Sequence, residues 1–149
     1  MPDHATERTT IDASPADCLA AALAFEEYPT WAHDIKETEV LERDAEGRGL
    51  RVRYRAAAMG RSTTYVLGYD YSEAPRRMSW TLLESDITRQ LDGTYDFAPV
   101  EGEPDRTDVT YDLVVELVVP LPSFVKRRAE SRIVHTALRE LKSWVERGA

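Results

Sequence analysis

Several things are scarce in this chain of 149 residues, and each scarcity excludes something. There is one cysteine, Cys18, so no internal disulfide can form, which suits a reducing, cytoplasmic setting. The three histidines, His4, His33 and His135, fall in no ligand-spaced cluster, so no metal site is expected. Neither a Gly-x-Ser-x-Gly elbow nor a dinucleotide or phosphate-binding glycine pattern occurs, and no cofactor is expected. No apolar run approaches the roughly 18–20 residues that cross a bilayer. Polar residues from Met1 to Thr10 do not resemble a secretory leader. Positive charge is also short, with 19 Lys and Arg against 27 Asp and Glu. The resulting net charge of -8 argues against a general nucleic-acid partner, which needs a basic surface.

What is present describes a folded domain: 42% hydrophobic and 31% charged residues, without repeats, linkers or low-complexity segments. One domain over 1–149 is expected. The last stretch, Ser123 to Arg147, predicts one long amphipathic helix. Val125, Ala129, Ile133, Val134, Ala137, Leu138, Leu141, Trp144 and Val145 recur on it at helical spacing. Such a stripe must be buried against a partner, and the preceding strands supply the only large one.

From the start of the chain, Glu7 to Asp12 alternate weakly as an opening strand, with His4 in a tail. Ser14 as N-cap, Pro15 at the first helical position and Asp17 two residues further start a helix carrying Leu19, Leu23 and Phe25, which ends before Pro29. A second short helical turn is expected at Tyr28–Trp31. From Ile35 the period becomes two. Glu37 to Arg43 is a strand and 44–47 a hairpin turn. Leu50, Val52, Tyr54 and Ala56 then share one face while Arg51, Arg53 and Arg55 share the other. After a turn at Gly60, Tyr65, Leu67, Tyr69 and Tyr71 line up. Met78, Trp80 and Leu82 face inward next, followed by Ile87, Arg89, Leu91, Gly93, Tyr95 and Phe97, and then by Val109, Tyr111, Leu113, Val115 and Leu117. Pro120 and Pro122 break the sheet before the long helix.

Five segments carry a family resemblance: Ile11-Asp12-Ala13-Ser14-Pro15, Phe25-Glu26-Glu27-Tyr28-Pro29-Thr30-Trp31, Arg76-Arg77-Met78-Ser79-Trp80, Leu91-Asp92-Gly93-Thr94-Tyr95 and Pro120-Leu121-Pro122-Ser123-Phe124. Together they resemble the START-like (SRPBCC) superfamily, in its polyketide cyclase/dehydrase and lipid transport branch. The resemblance implies an α+β helix-grip fold. In it a curved antiparallel sheet of about six to seven strands wraps around the long C-terminal helix, with two short helices after the first strand. It also implies a sheet–helix cavity for a small hydrophobic or aromatic ligand such as a polyketide, lipid or isoprenoid. Function within the superfamily is varied, so three readings stay open: a ligand carrier, an aromatase/cyclase or dehydratase, and an interaction module with a residual cavity.

The candidate lining follows from the inward faces: Tyr54, Tyr65, Tyr69, Trp80, Leu82, Leu91, Tyr95, Tyr111 and Leu113, with Trp31 as a lid residue or as packing for the short helices. Buried Tyr and Trp need partners for their O–H and N–H groups, which points to a lining with polar points rather than a dry core. Ile133 and Glu130 come from the helix. Glu130 falls near the stripe's centre, one turn after Lys126. It is either a polar handle or acid–base group in the cavity, or half of an ion pair with Lys126 at a solvated rim, and the rim pair is favoured. Arg89 and Glu84 lie on inward faces by alternation and could gate the mouth, recognise an acidic ligand group or form a rim salt bridge. In the enzyme reading Arg89 joins Glu130 as a candidate proton-moving group. His135 should face solvent. Lys126, Arg127, Arg128 and Arg132 form a basic patch whose default role is a solvated helix face, with membrane or partner docking as the open but not indicated alternative.

Overall fold

The computed structural model describes residues 3–58, 61–118 and 122–148. The expected turn at Gly60 and the break at Pro120 lie outside these residues, as does the side chain of Leu117. The elements are β1 (Asp3–Ile11), α1 (Pro15–Leu23), a 3-10 turn (Phe25–Glu27), α2 (Tyr28–Trp31), β2 (Ile35–Arg43), β3 (Gly49–Ala58), β4 (Arg61–Asp70), β5 (Arg77–Ser85), β6 (Thr88–Val100), β7 (Glu103–Leu117) and α3 (Ser123–Glu146).

Seven strands form one antiparallel sheet in the order β1-β7-β6-β5-β4-β3-β2. This order explains the two short helices. β1 lies at one edge and β2 at the other, so α1, the 3-10 turn and α2 carry the chain across the sheet. The meander β2 to β7 then returns to pair with β1. Ser14 caps α1, its Oγ accepting the Asp17 backbone N–H at 3.2 Å, and Pro29 sits in the first turn of α2.

The first strand begins at Asp3, earlier than its weak alternation suggested, and His4 belongs to it rather than to a tail. Pairing supplies what the pattern lacks: β1 matches β7 from Asp3↔Val115 to Ile11↔Thr107, and His4 Nε2 lies 3.3 Å from Asp112. On the outer face of β2 and β3, Glu37 and Glu39 face Arg55 and Arg53 at 3.0 Å each. Opposite charges directly across a ladder stabilise modestly and keep this edge strand polar.

The long helix packs chiefly on β1, with further contact to β7, α1 and α2. Val134, Leu138, Leu141 and Val145 are its buried apolar stripe. His135 is exposed, as its helical position predicts, and its Nδ1 reaches Glu7 of β1 at 3.0 Å. Ile11, Phe25, Val52, Met78, Phe97, Val109, Leu113 and Val115 complete the core. Strands β3, β4 and β5 are not among the main partners of α3. Their inner face is furnished instead by large aromatic side chains, and the candidate site lies there.

Candidate functional site

Strand alternation places one aromatic ring after another on the inner face, and the register sets them side by side. Tyr54 pairs with Tyr65, Tyr69 with Trp80, and Tyr95 with Tyr111. Ring centroids are 5.2 Å apart for Tyr54–Tyr65, 5.9 Å for Tyr69–Trp80, 5.4 Å for Trp80–Tyr95 and 4.7 Å for Tyr95–Tyr111. These are the offset and edge-to-face distances that aromatic quadrupoles favour. Opposite Trp80 the sheet carries Gly93, and a Cβ there would lie 2.4 Å from Trp80 Cζ2. The indole therefore rests directly on backbone.

The wall continues onto the short helices and α3. Tyr28 lies 6.1 Å from Tyr54 and 5.0 Å from Trp31, and Trp31 stacks on Trp144 of α3 at 6.3 Å. Trp31 is thus buried between α2 and α3, not laid over the sheet alone. Leu82 and Leu91 are half-buried against this wall and Leu113 is fully buried.

Some phenols are satisfied locally. Tyr28 donates to the Ala22 carbonyl, Tyr71 donates to the Gly49 carbonyl, and the Tyr54 and Tyr69 hydroxyls bond each other. Burial pushes Tyr28, Tyr54, Tyr69, Tyr95 and Tyr111 well above the usual phenol range, and it raises Tyr65 as well. At neutral pH these groups are uncharged hydrogen-bonding groups rather than phenolate bases.

Two carboxylates are buried on α3. Glu130 is 2% exposed, so the solvated-rim reading is corrected: its carboxylate is buried, although Arg127 and Arg128 of the same turn are exposed. Glu140, missed in the sequence, accepts the His33 backbone N–H at 3.3 Å and lies 2.6 Å from His33 Nδ1. It ties the end of α2 to α3. A signal was available, since Glu140 stands three residues after Ala137 and four before Trp144, on the flank of the apolar stripe.

Other expected residues lie elsewhere. Arg89 is exposed and pairs with Glu116 at 3.9 Å, not with Glu84, which is itself exposed opposite Val66. The reason is a register shift between Thr88 and Gln90: a bulge breaks the two-residue period, so counting back from Leu91 assigns Arg89 to the wrong face. Ile133 is 38% exposed, on the flank of α3 rather than in the wall. Arg127, Arg128 and Arg132 are exposed, whereas Lys126 is half-buried. Among the described residues no group of three or more His, Cys, Asp or Glu could hold a metal ion, and no helix is long and apolar enough to cross a membrane.

A curved antiparallel sheet lined with aromatics, crossed by two short helices and closed by a long C-terminal helix is the α+β helix-grip arrangement. Residues 2–146 match the family model described as polyketide cyclase / dehydrase and lipid transport, and the chain belongs to that family. Similar solved structures include a START superfamily protein from Mycobacterium smegmatis, with 22% identity, TM-score 0.89, and 98% of this chain and 99% of that one covered. A protein from Thermus thermophilus shares 22% identity over 99% of each chain with TM-score 0.82. The Zhui aromatase/cyclase from a Streptomyces species shares 15% identity, with TM-score 0.82 and coverage of 99% of this chain and 95% of that one. At these identities the likeness concerns the fold. No curated protein matches the sequence.

Proposed function

We propose that the protein binds, and hands on, a small and largely apolar ligand of polyketide, lipid, isoprenoid or aromatic type. The ligand lies between the inner face of β3–β7 and the α2–α3 side. The observation that carries this reading is the continuous aromatic wall on a part of the sheet that α3 does not chiefly cover. Aromatic surface of this kind offers large, rigid contact area to a flat or hydrocarbon-rich molecule. Family membership supports the same ligand class. The residues offered as lining are Trp31, Tyr54, Tyr65, Tyr69, Trp80, Leu82, Leu91, Tyr95, Tyr111 and Leu113, with Glu130 as a polar group. A cytoplasmic setting, supported by the single buried Cys18, goes with it.

Native mass spectrometry of the purified protein, with organic extraction, tests the reading. A retained apolar small molecule is expected. A clean apo mass, with no thermal shift from quinones, fatty acids or polycyclic aromatics, would count against it.

A second reading, aromatase/cyclase or dehydratase activity, has one observation in its favour: the burial of a carboxylate, Glu130 of α3, in a fold shared with an aromatase/cyclase. For an enzyme, Glu130→Gln should abolish turnover of a polyketide-like substrate while affinity holds, because a general acid or base is lost and volume is not. Equal loss of turnover and affinity would assign Glu130 to binding.

A further inference from the structure

Trp31 is 5% exposed, and its indole Nε1–H is sealed from solvent with no hydrogen-bond acceptor among the described residues. Its neighbours offer rings: Tyr28 at 5.0 Å, edge-on, and Trp144 at 6.3 Å, stacked. The nearby phenols do not accept from it: Tyr28 donates to the Ala22 carbonyl, the Tyr54 and Tyr69 hydroxyls bond each other, and Nε1 reaches neither pair. A buried donor left without an acceptor forfeits the hydrogen bond it had to water, and native proteins rarely tolerate this without a reason. The side chain is also held in place. Trp144 stacks on it, and two residues after Trp31 the His33 N–H is gripped by Glu140 at 3.3 Å. The arrangement is a donor fixed within an apolar wall.

We infer that the Trp31 indole N–H is the specificity-determining donor of the ligand site, selecting apolar ligands that present a carbonyl-type acceptor at the α2–α3 end over hydrocarbons of the same shape. This inference rests on the binding reading above and adds to it a directional requirement. Because Nε1 is closed off from solvent, the acceptor arrives with the ligand, which displaces the rings around Trp31 as it seats. A ligand with the acceptor recovers the missing hydrogen bond, and a pure hydrocarbon leaves it missing.

The test uses fluorenone and fluorene, which share a ring skeleton and differ by a carbonyl in place of a methylene. Affinities are measured calorimetrically for the wild-type protein and for Trp31→Phe, which keeps an aromatic ring and removes the N–H. Trp31→Phe should weaken fluorenone about tenfold and leave fluorene nearly unchanged, the comparison between variants cancelling the different hydration of the two ligands. A second measurement needs no variant at position 31. In 15N-tryptophan-labelled wild-type protein, the Trp31 indole resonance, identified by elimination with Trp80→Phe and Trp144→Phe, should move downfield with fluorenone and not with fluorene. Equal effects of Trp31→Phe on both ligands, or equal resonance shifts, overturn the inference and leave the binding reading standing. Failure of both molecules to bind overturns the inference, and the binding reading falls with it only where native mass spectrometry and extraction also find no apolar ligand.

Discussion

Gly93 and Trp80 show how much a single position decides. The indole lies against the glycine so closely that any side chain there must move it, and Trp80 in turn touches Tyr69, Tyr95 and Tyr111. Gly93→Ala should therefore destabilise the fold by about 1–3 kcal/mol, the usual cost of overpacking a core. It should also shift the tryptophan fluorescence, and urea unfolding followed by that fluorescence reads both effects. An unchanged midpoint and spectrum would mean that the indole has room the structure does not show. Trp80 and its neighbours were legible in the sequence because alternation alone assigns their face. Gly93 was legible only as one more inward position, since its role depends on what lies across the ladder.

At the scale of elements, α1 and α2 announce themselves through local chemistry. Ser14 and Pro15 start the first, Tyr28–Trp31 forms the second, and both are where short-range signals placed them. The link between α2 and α3 had no comparable local signature. It consists of the Trp31–Trp144 stack and the Glu140 contact with His33, which join residues 113 and 107 positions apart. Glu140→Ala should remove the carboxylate that holds the His33 N–H, destabilising the protein by about 1–2 kcal/mol. Amide exchange should speed up locally, at the end of α2 and the start of β2. Exchange accelerated evenly over the whole sheet would contradict a local fastening. The same limit explains Arg89: a single bulge reverses the face assignment of every residue before it, and no short-range signal marked it.

For the whole molecule, the unusual feature is that every one of the seven tyrosines has its phenol raised, chiefly by burial. The unfolded chain titrates near the ordinary tyrosine pKa of about 10, so it releases protons first as the pH rises. The tyrosines' contribution to stability should be complete below that pH and fall progressively above it. Absorbance at 295 nm should stay flat until unfolding and then rise together with the loss of far-UV circular dichroism. A tyrosinate signal growing near pH 10 while the dichroism holds would show that phenols of the wall are open to water in the native state.

By itself the sequence determined the α+β class, the run of strands, the inward faces of most of them and the long final helix. Two-residue and 3.6-residue periods are local properties that burial imprints directly on composition. Only the tertiary structure decided that β1 and β2 form opposite edges, that α3 sits chiefly on β1, that Glu130 is buried and that Arg89 faces away. It also decided that the Trp31 N–H is left without an acceptor among the described residues. These depend on which distant segments meet, and neither pattern nor spacing in a single chain encodes a neighbour a hundred residues away.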